Sequence, residues 1–198
     1  MEVDAIRIAT PDVLTTGRLT LRRWIDPDRA SFARMNADPR VMEFMPGCLD
    51  VPESDRLVDR IDRHFAVHGF GLYAVELRAN HTFAGYIGLS VPAFDAPFMP
   101  AIEIGWRLAF EYWGKGLATE GAREVIRHAF ETLGLKDLVS FTAPSNLRSI
   151  RVMEKLGMTH QAIDDFEHPT LNPGHRLRPH VLYRLARTQR IENLRAYS

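Results

Sequence analysis

The stretch Tyr112-Trp113-Gly114-Lys115-Gly116-Leu117-Ala118-Thr119-Glu120 constrains the fold most, because it joins an apolar run over 101–108 to an amphipathic run over 117–133. An extended segment that turns through two glycines directly into a helix is one unit of a sheet covered by helices. Glycine lets the backbone approach a neighbour closely, and the first helical turn carries N–H groups with no intrahelical acceptor. Those groups, backed by the helix dipole, favour a bound anion such as phosphate. A second run, Asn146-Leu147-Arg148-Ser149-Ile150-Arg151-Val152-Met153-Glu154-Lys155-Leu156-Gly157-Met158, has its own helix start at Asn146 and glycine stop at Gly157.

The rest of the chain alternates in the same way. Residues 18–24 read as a strand, with Leu19 and Leu21 on one face and Thr20 and Arg22 on the other. Asp26 is the expected N-cap of a helix that carries Pro27 in its first turn and ends before Pro39. A second helix is expected over about 53–68, where Leu57, Ile61 and Phe65 recur at helical spacing and Gly69 closes it. Two β-rich runs, 71–78 and 82–91, form a hairpin across Ala79-Asn80-His81, and Pro92, Pro97 and Pro100 mark a loop before strand 101–108. Beyond the glycine loop come helix 117–133, strand 137–142, helix 146–156 and a strand over about 159–166. A loop over 167–179 leads to a final strand near 180–185, and the last ten residues read as a frayed or docked tail. Strands separated by single helices imply a mixed α/β (α+β) sheet, whose ligands sit at the carboxyl ends of strands where the order switches.

Taken together, these segments resemble the GNAT superfamily of acetyl-CoA-dependent N-acetyltransferases, and most closely its RimJ/RimL-type branch. Gly17-Arg18-Leu19-Thr20-Leu21-Arg22 is similar to the opening strand of that family, and Gly69 to Val75 with Gly85 to Leu89 is similar to its central hairpin. Glu103-Ile104-Gly105-Trp106, Trp113 to Glu120 and Asn146 to Met158 follow in the family's order. The resemblance implies a mostly antiparallel sheet of about seven strands, helices on both faces, and one parallel pair that splays apart; here those strands are 101–108 and 137–142. It implies one acetyltransferase domain over 1–198, with its core at about 14–187, and acetyl-CoA as cosubstrate.

In the family's pyrophosphate loop a Gln or Arg is followed by two residues, Gly, any residue, and Gly or Ala. This chain has Trp113, Gly116 and Ala118 at those places, so Trp113 departs from the polar pattern. Binding through main-chain N–H groups survives that change. The expected cofactor-binding residues are Trp113, Gly114, Lys115, Gly116, Leu117, Ala118 and Thr119, with Lys115 adding charge at the rim and Gly116 tolerating no side chain. Asn146, by resemblance, bonds the pantetheine arm; as an N-cap it also has a purely structural role. Trp106 and Leu108 are expected to offer N–H groups to the cosubstrate and to the oxyanion. The family often has a Tyr seven residues after that Asn as general acid; here the residue is Met153, which donates no proton. Ser149 is the remaining hydroxyl and the candidate acid, as in RimL-type members; its alternative is a solvated helix residue.

The acceptor must attack as a neutral amine. With reference pKa values of ~8 for an α-amino group and ~10.4 for lysine, deprotonation at pH 7 costs roughly 1.4 or 4.6 kcal/mol. Glu103 is the candidate base, directly or through water, and a salt bridge to Arg107 is its alternative. The expected reaction is direct acetyl transfer from acetyl-CoA to a primary amine, a protein N-terminus or a small molecule, through a ternary complex. A non-catalytic acyl-CoA-binding or sensing module is the alternative that Met153 keeps open. No strand is followed by Gly-x-Gly-x-x-Gly or Gly-x4-Gly-Lys-Ser/Thr, which sets a nucleotide-binding fold behind both.

Lys plus Arg and Asp plus Glu balance at 25 each, which gives no charge reason to expect nucleic acid or an anionic membrane as partner. Neither a signal peptide nor a run of ~20 apolar residues is visible, and Cys48 is the sole cysteine, so a cytoplasmic protein is expected. Cys48 reads as a small hydrophobic residue. His64 and His68 lie one helical turn apart without a third ligand, so no metal is expected. His168, His175 and His180 border a loop that in the family flanks the acceptor site, and read first as loop-packing residues. Trp24, Phe44 and Met45 line the acceptor pocket or fill core. The exposed final strand and the long loop leave room for a homodimer.

Overall fold

One continuous ladder of hydrogen bonds organises the chain. A computed structural model describes residues 13–188; the expected tail over 189–198 lies outside the described residues. β1 (Val13–Thr15), β2 (Leu19–Arg22), β3 (Leu72–Leu77), β4 (Thr82–Ser90) and β5 (Glu103–Leu108) pair antiparallel in chain order. β6 (Asp137–Thr142) joins β5 in parallel. β7 (Thr159–His160) and β8 (Phe166–Glu167) both pair with β9 (Pro179–Ala186), which runs antiparallel along β6. The architecture is the mixed, mostly antiparallel sheet with one parallel pair that the sequence predicts.

It also carries more strands than the seven or so expected. β1 precedes the first expected strand, and the single strand expected over 159–166 is broken into β7 and β8 by a turn at Ala162–Asp164. Two carboxylates explain the break. Asp165 Oδ1 accepts from Leu182 N at 3.3 Å, taking a backbone donor of β9 that a continuous strand would use, and Asp164 is held to Arg184 at 2.8 Å. β9 is flanked by β6 on one edge and by β7 and β8 on the other, so the final strand is not the exposed edge expected.

The helices begin where carboxylates satisfy their first turns. α1 (Asp26–Asn36) is capped by Ile25 rather than Asp26. Asp28 Oδ2 accepts from Ile25 N at 3.0 Å, while its two oxygens pair with Arg22 at 2.7 and 2.9 Å. This buried aspartate, rather than the fully exposed Asp26, fixes the start of α1. α2 (Val51–His68) starts two residues before the expected Glu53, because Asp50 and Glu53 form a reciprocal capping box at 2.8 and 2.9 Å. α3 (Leu117–Glu131) follows the glycine loop, and α4 (Leu147–Lys155) is capped by Asn146.

The two faces of the sheet separate the helices. Phe32 of α1 is fully buried against Trp24, Phe83 and Tyr86, with ring centroids 4.8 to 6.2 Å apart. α2 packs on α1, tied by Asn36 Nδ2 donating to Ser54 Oγ at 2.8 Å. α3 lies on the opposite face, where its Gly121 presses onto Ile87 and Leu19, and α4 packs beside it near β6. Because side chains alternate along a strand, Glu103, Gly105 and Arg107 share the α1 face with Tyr86, which pairs with Arg107. Ile104, Trp106 and Leu108 face α3.

Gly85 sits at a bulge where the β3–β4 register shifts after Val75, with φ +137°. A Cβ there would lie 2.2 Å from the Arg107 carbonyl oxygen. Gly85→Ala is expected to lose about 3 kcal/mol or more of stability, read as a lower urea midpoint, since both backbone strain and the clash must be relieved.

Candidate active site

β5 and β6 are held together at one register, Glu103 opposite Val139, and then part. Val139 N donates to Ile102 O at 2.9 Å, and Ala109 N donates to Ala84 O at 2.9 Å on the other edge. Even-numbered residues of β5 therefore aim their backbone groups at β6 and odd-numbered ones at β4. With no ladder to β6 beyond Glu103, the N–H groups of Trp106 and Leu108 face the gap. The carbonyl of Leu108 is taken by the Trp113 indole, whose Nε1 donates at 2.8 Å. Here lies the physical content of the unexpected tryptophan: it anchors the glycine loop to the end of β5 through its own N–H. The guanidinium carbon of Arg148 stands 4.5 Å over its ring, a cation–π contact.

After a short 3₁₀ turn at Phe110–Tyr112, Gly114 and Gly116 both adopt left-handed backbone, φ +71° and +76°, and Gly116 caps α3. The first intrahelical bond is Glu120 N to Gly116 O at 3.0 Å, which leaves the N–H groups of Leu117, Ala118 and Thr119 without helical acceptors. The expected intolerance at Gly116 comes from its φ and not from space: a Cβ would meet only Arg18 Nη2, at 3.7 Å. Arg18 braces the loop from behind, donating to Lys115 O at 3.0 Å and to Glu120 at 2.6 Å, while Thr16 Oγ1 also donates to Glu120 at 2.6 Å. The Glu120 carboxyl is held below its usual range by these donors against the opposing effect of burial.

One cleft of about 360 Å³ collects Trp106, Leu108, Trp113, Gly114, Gly116, Leu117, Ala118, Thr119, Asn146 and Ser149. The two remaining sequence candidates, Lys115 and Glu103, are not among its lining. Lys115 is exposed, with its Nζ 5.7 Å from the Tyr112 ring centroid. Asn146 serves as a cap, with Oδ1 accepting from Ser149 N at 3.3 Å and Nδ2 donating to Thr142 Oγ1 at 2.9 Å. Ser149 is half-buried, and its hydroxyl has no protein partner among the described residues. Met153 is fully buried in the core, and its neighbour Val152 lines the cleft instead.

Glu103 accepts from Ser90 Oγ at 3.1 Å and does not pair with Arg107. Although part of its surface is open, burial among neutral neighbours pushes its carboxyl up to about 7, against the smaller opposing pull of Ser90. Sequence reasoning missed Arg40, Tyr112 and Arg151, which also line the cleft, as does Arg107, which it named only as a salt-bridge alternative for Glu103. Phe44 and Met45 line it as well, whereas Trp24 is core and donates Nε1 to Leu72 O at 2.8 Å. A second groove of about 600 Å³ runs past Arg18, Arg123, Arg127 and Lys155 on the outer side of α3.

The remaining candidates have structural roles. His64 holds Phe70 O at 2.9 Å with Nδ1 and accepts from Val91 N at 3.0 Å with Nε2, so both ring nitrogens are occupied. His168 and His180 stack in an aromatic group with Phe94, Phe141 and Phe166, while His175 caps its own turn by accepting from Leu177 N. Cys48 is exposed, not the small hydrophobic residue expected, because it sits in the turn between α1 and α2.

The model of the acetyltransferase (GNAT) domain matches residues 18–159. This chain belongs to the GNAT family. The FsC-acetyl coenzyme A-N(2)-transacetylase of Aspergillus fumigatus is 30% identical over 174 residues, which cover 84% of this GNAT chain and 73% of that protein. The acetyltransferase of Agrobacterium tumefaciens has the same fold with a TM-score of 0.71 at 28% identity, covering 88% of this chain and 94% of its own. The fold is also that of the Vibrio cholerae spermidine N-acetyltransferase solved with CoA and spermine, at 17% identity and a TM-score of 0.69, covering 89% and 99%. GNAT acetyltransferases use acetyl-CoA, and a left-handed glycine loop with open N–H groups between basic side chains fits such a ligand.

The Glu103 carboxyl also has a measurable consequence for stability. Its folded pKa lies above that of an unfolded glutamate, so the folded chain gains stability at low pH that is lost as pH rises through about 7. Glu103→Gln carries no charge and escapes that loss. Its advantage over wild type in urea unfolding should grow between pH 5 and pH 8, up to about 3 kcal/mol at ~1.36 kcal/mol per pKa unit.

Proposed function

We propose that this GNAT protein moves the acetyl group of acetyl-CoA directly to a primary amine within a ternary complex. The observation that carries the reading is the parted β5–β6 pair, with open N–H groups on its edge, a glycine loop at its end, and a carboxyl of raised pKa on the adjoining strand face. The loop from Gly114 to Thr119 would hold the pyrophosphate, and Arg123 and Lys155 lie where further phosphate charge is met. Asn146 keeps one amide hydrogen and one lone pair for a pantetheine amide beyond its capping bonds.

Acetyl-CoA supplies an acyl group activated as a thioester. Glu103, ionised to about half at pH 7, takes the proton from the attacking amine directly or through water. The N–H groups of Trp106 and Leu108 stabilise the negative charge that gathers on the acetyl oxygen. Ser149, with a free hydroxyl, donates to the departing sulfur; a thiol with a reference pKa of ~8.5 needs no stronger acid. Acceptors are a protein N-terminus, as in the RimJ/RimL branch, or a small amine. The whole chain acts as one domain in the cytoplasm.

Titration calorimetry with acetyl-CoA tests the site: micromolar binding by wild type, lost in Gly116→Glu, is the expected outcome. Thiol release on adding an amine then separates catalysis from an acyl-CoA-sensing role, which predicts binding without release. At saturating acetyl-CoA, kcat/KM for the amine should rise with pH through about 7. Glu103→Gln should lose that limb and about a hundredfold in kcat at pH 7.5.

A further inference from the structure

Arg107 is 8% exposed and pairs with no carboxylate among the described residues. Its Nη1 donates to Met42 Sδ at 2.7 Å, a weak acceptor, and its Nε has no hydrogen-bond partner among the described residues. The rings of Phe32 and Tyr86 stand 5.7 and 5.1 Å from the guanidinium carbon. A guanidinium does not give up its proton in a protein, and a buried charge is ordinarily paired. What surface Arg107 retains opens on the cleft, whose other charged lining residues are Arg40, Arg148, Arg151 and Lys155. No carboxylate among the described residues lines it. Arg40 is satisfied by Asp38 and Arg148 by Glu43, both at 2.6 Å, whereas Arg107 has only sulfur and aromatic faces.

The strand places this cation in line with the candidate base. Glu103 and Arg107 lie on the same face of β5 with Gly105 between them, so nothing rises from the strand in the intervening position. A Cβ built on Gly105 would stand 3.7 Å from Glu103 Oε1, which means the carboxyl leans across the glycine toward the arginine. Four residues of strand separate the two α-carbons by about 13 Å. A small acceptor lying over Gly105 meets a proton acceptor at one end and a desolvated cation at the other.

We propose that Arg107 anchors a carboxylate carried by the acceptor, so that the substrates are amines with an anionic group several bonds from the nitrogen, such as ω-amino acids or short peptides with a free C-terminus. The assignment rests on the acetyl-transfer reading above. A guanidinium binds a carboxylate through two parallel N–H groups, and the aromatic rings keep competing water away. A polyamine, whose remaining charges are positive, meets only positive side chains along the same lining.

The test compares ω-amino acids and dipeptides with their C-terminal amides, using thiol release for turnover and calorimetry on the protein with CoA for binding. Wild type is expected to favour each acid over its amide by about tenfold or more in kcat/KM, mostly through KM. In Arg107→Met the acid-to-amide ratio should fall to near one, and Arg107→Lys should restore part of it. Equal or better use of the amides by wild type overturns the assignment and leaves acetyl transfer standing; this arm needs no variant to fold. Preferential binding of the acids without thiol release supports the anion site and sinks the transferase reading. Preferential use of spermidine overturns the assignment.

Discussion

The whole site depends on a parallel strand pair held at a single register. Parallel strands usually gain their stability from an extended, evenly spaced ladder; here β5 and β6 bond around Glu103 and Val139 and then diverge. Exposed backbone groups inside a protein are costly unless something else satisfies them. One of them, the Leu108 carbonyl, is met by the Trp113 indole. The N–H groups left facing the gap are suited to an oxygen from outside. The same divergence makes a passage between the two faces of the sheet, with the glycine loop on the α3 side and Glu103 and Arg107 on the α1 side.

That opening is kept rigid by bonds that lie behind it. Arg18 and Thr16, from the turn between β1 and β2, grip Glu120 in the first turn of α3 and the Lys115 carbonyl in the loop. Asn146 and Thr142 fix the start of α4 across the gap. Each hydrogen bond of this kind contributes only about 1 kcal/mol, more where a charge takes part. Their effect is positional: the loop backbone cannot turn its N–H groups away without breaking several of them together.

Much of this was legible in the sequence because local chemistry wrote it there. The two glycines, the Asn cap and the apolar runs on either side led to the loop and its helices, while the splayed pair came from the family resemblance. Failures came where a distant partner decided. Asp26 lost the cap to Ile25 because Arg22 and the backbone captured Asp28, and the single strand expected over 159–166 broke because Asp164 and Asp165 found partners on β9. The alternative of a Glu103–Arg107 salt bridge failed although period-two alternation puts both on one face, because Ser90 across the ladder holds Glu103 and Met42 takes Arg107. Tyr112 and Arg40 reach the cleft from turns, whose direction no periodicity encodes.

The ladder closes in stubs at both ends. Among the described residues one outer strand is three residues long, and the other margin is made of two separate two-residue pieces laid against β9. A long, flat margin invites another chain to add itself and go on adding, which is how sheets grow into fibres. Here a visiting strand would find only a few free backbone groups before the register ran out, on a sheet already twisted and bulged at Gly85. The broken strand at 159–167, costly to regularity, thereby guards the chain against polymerisation.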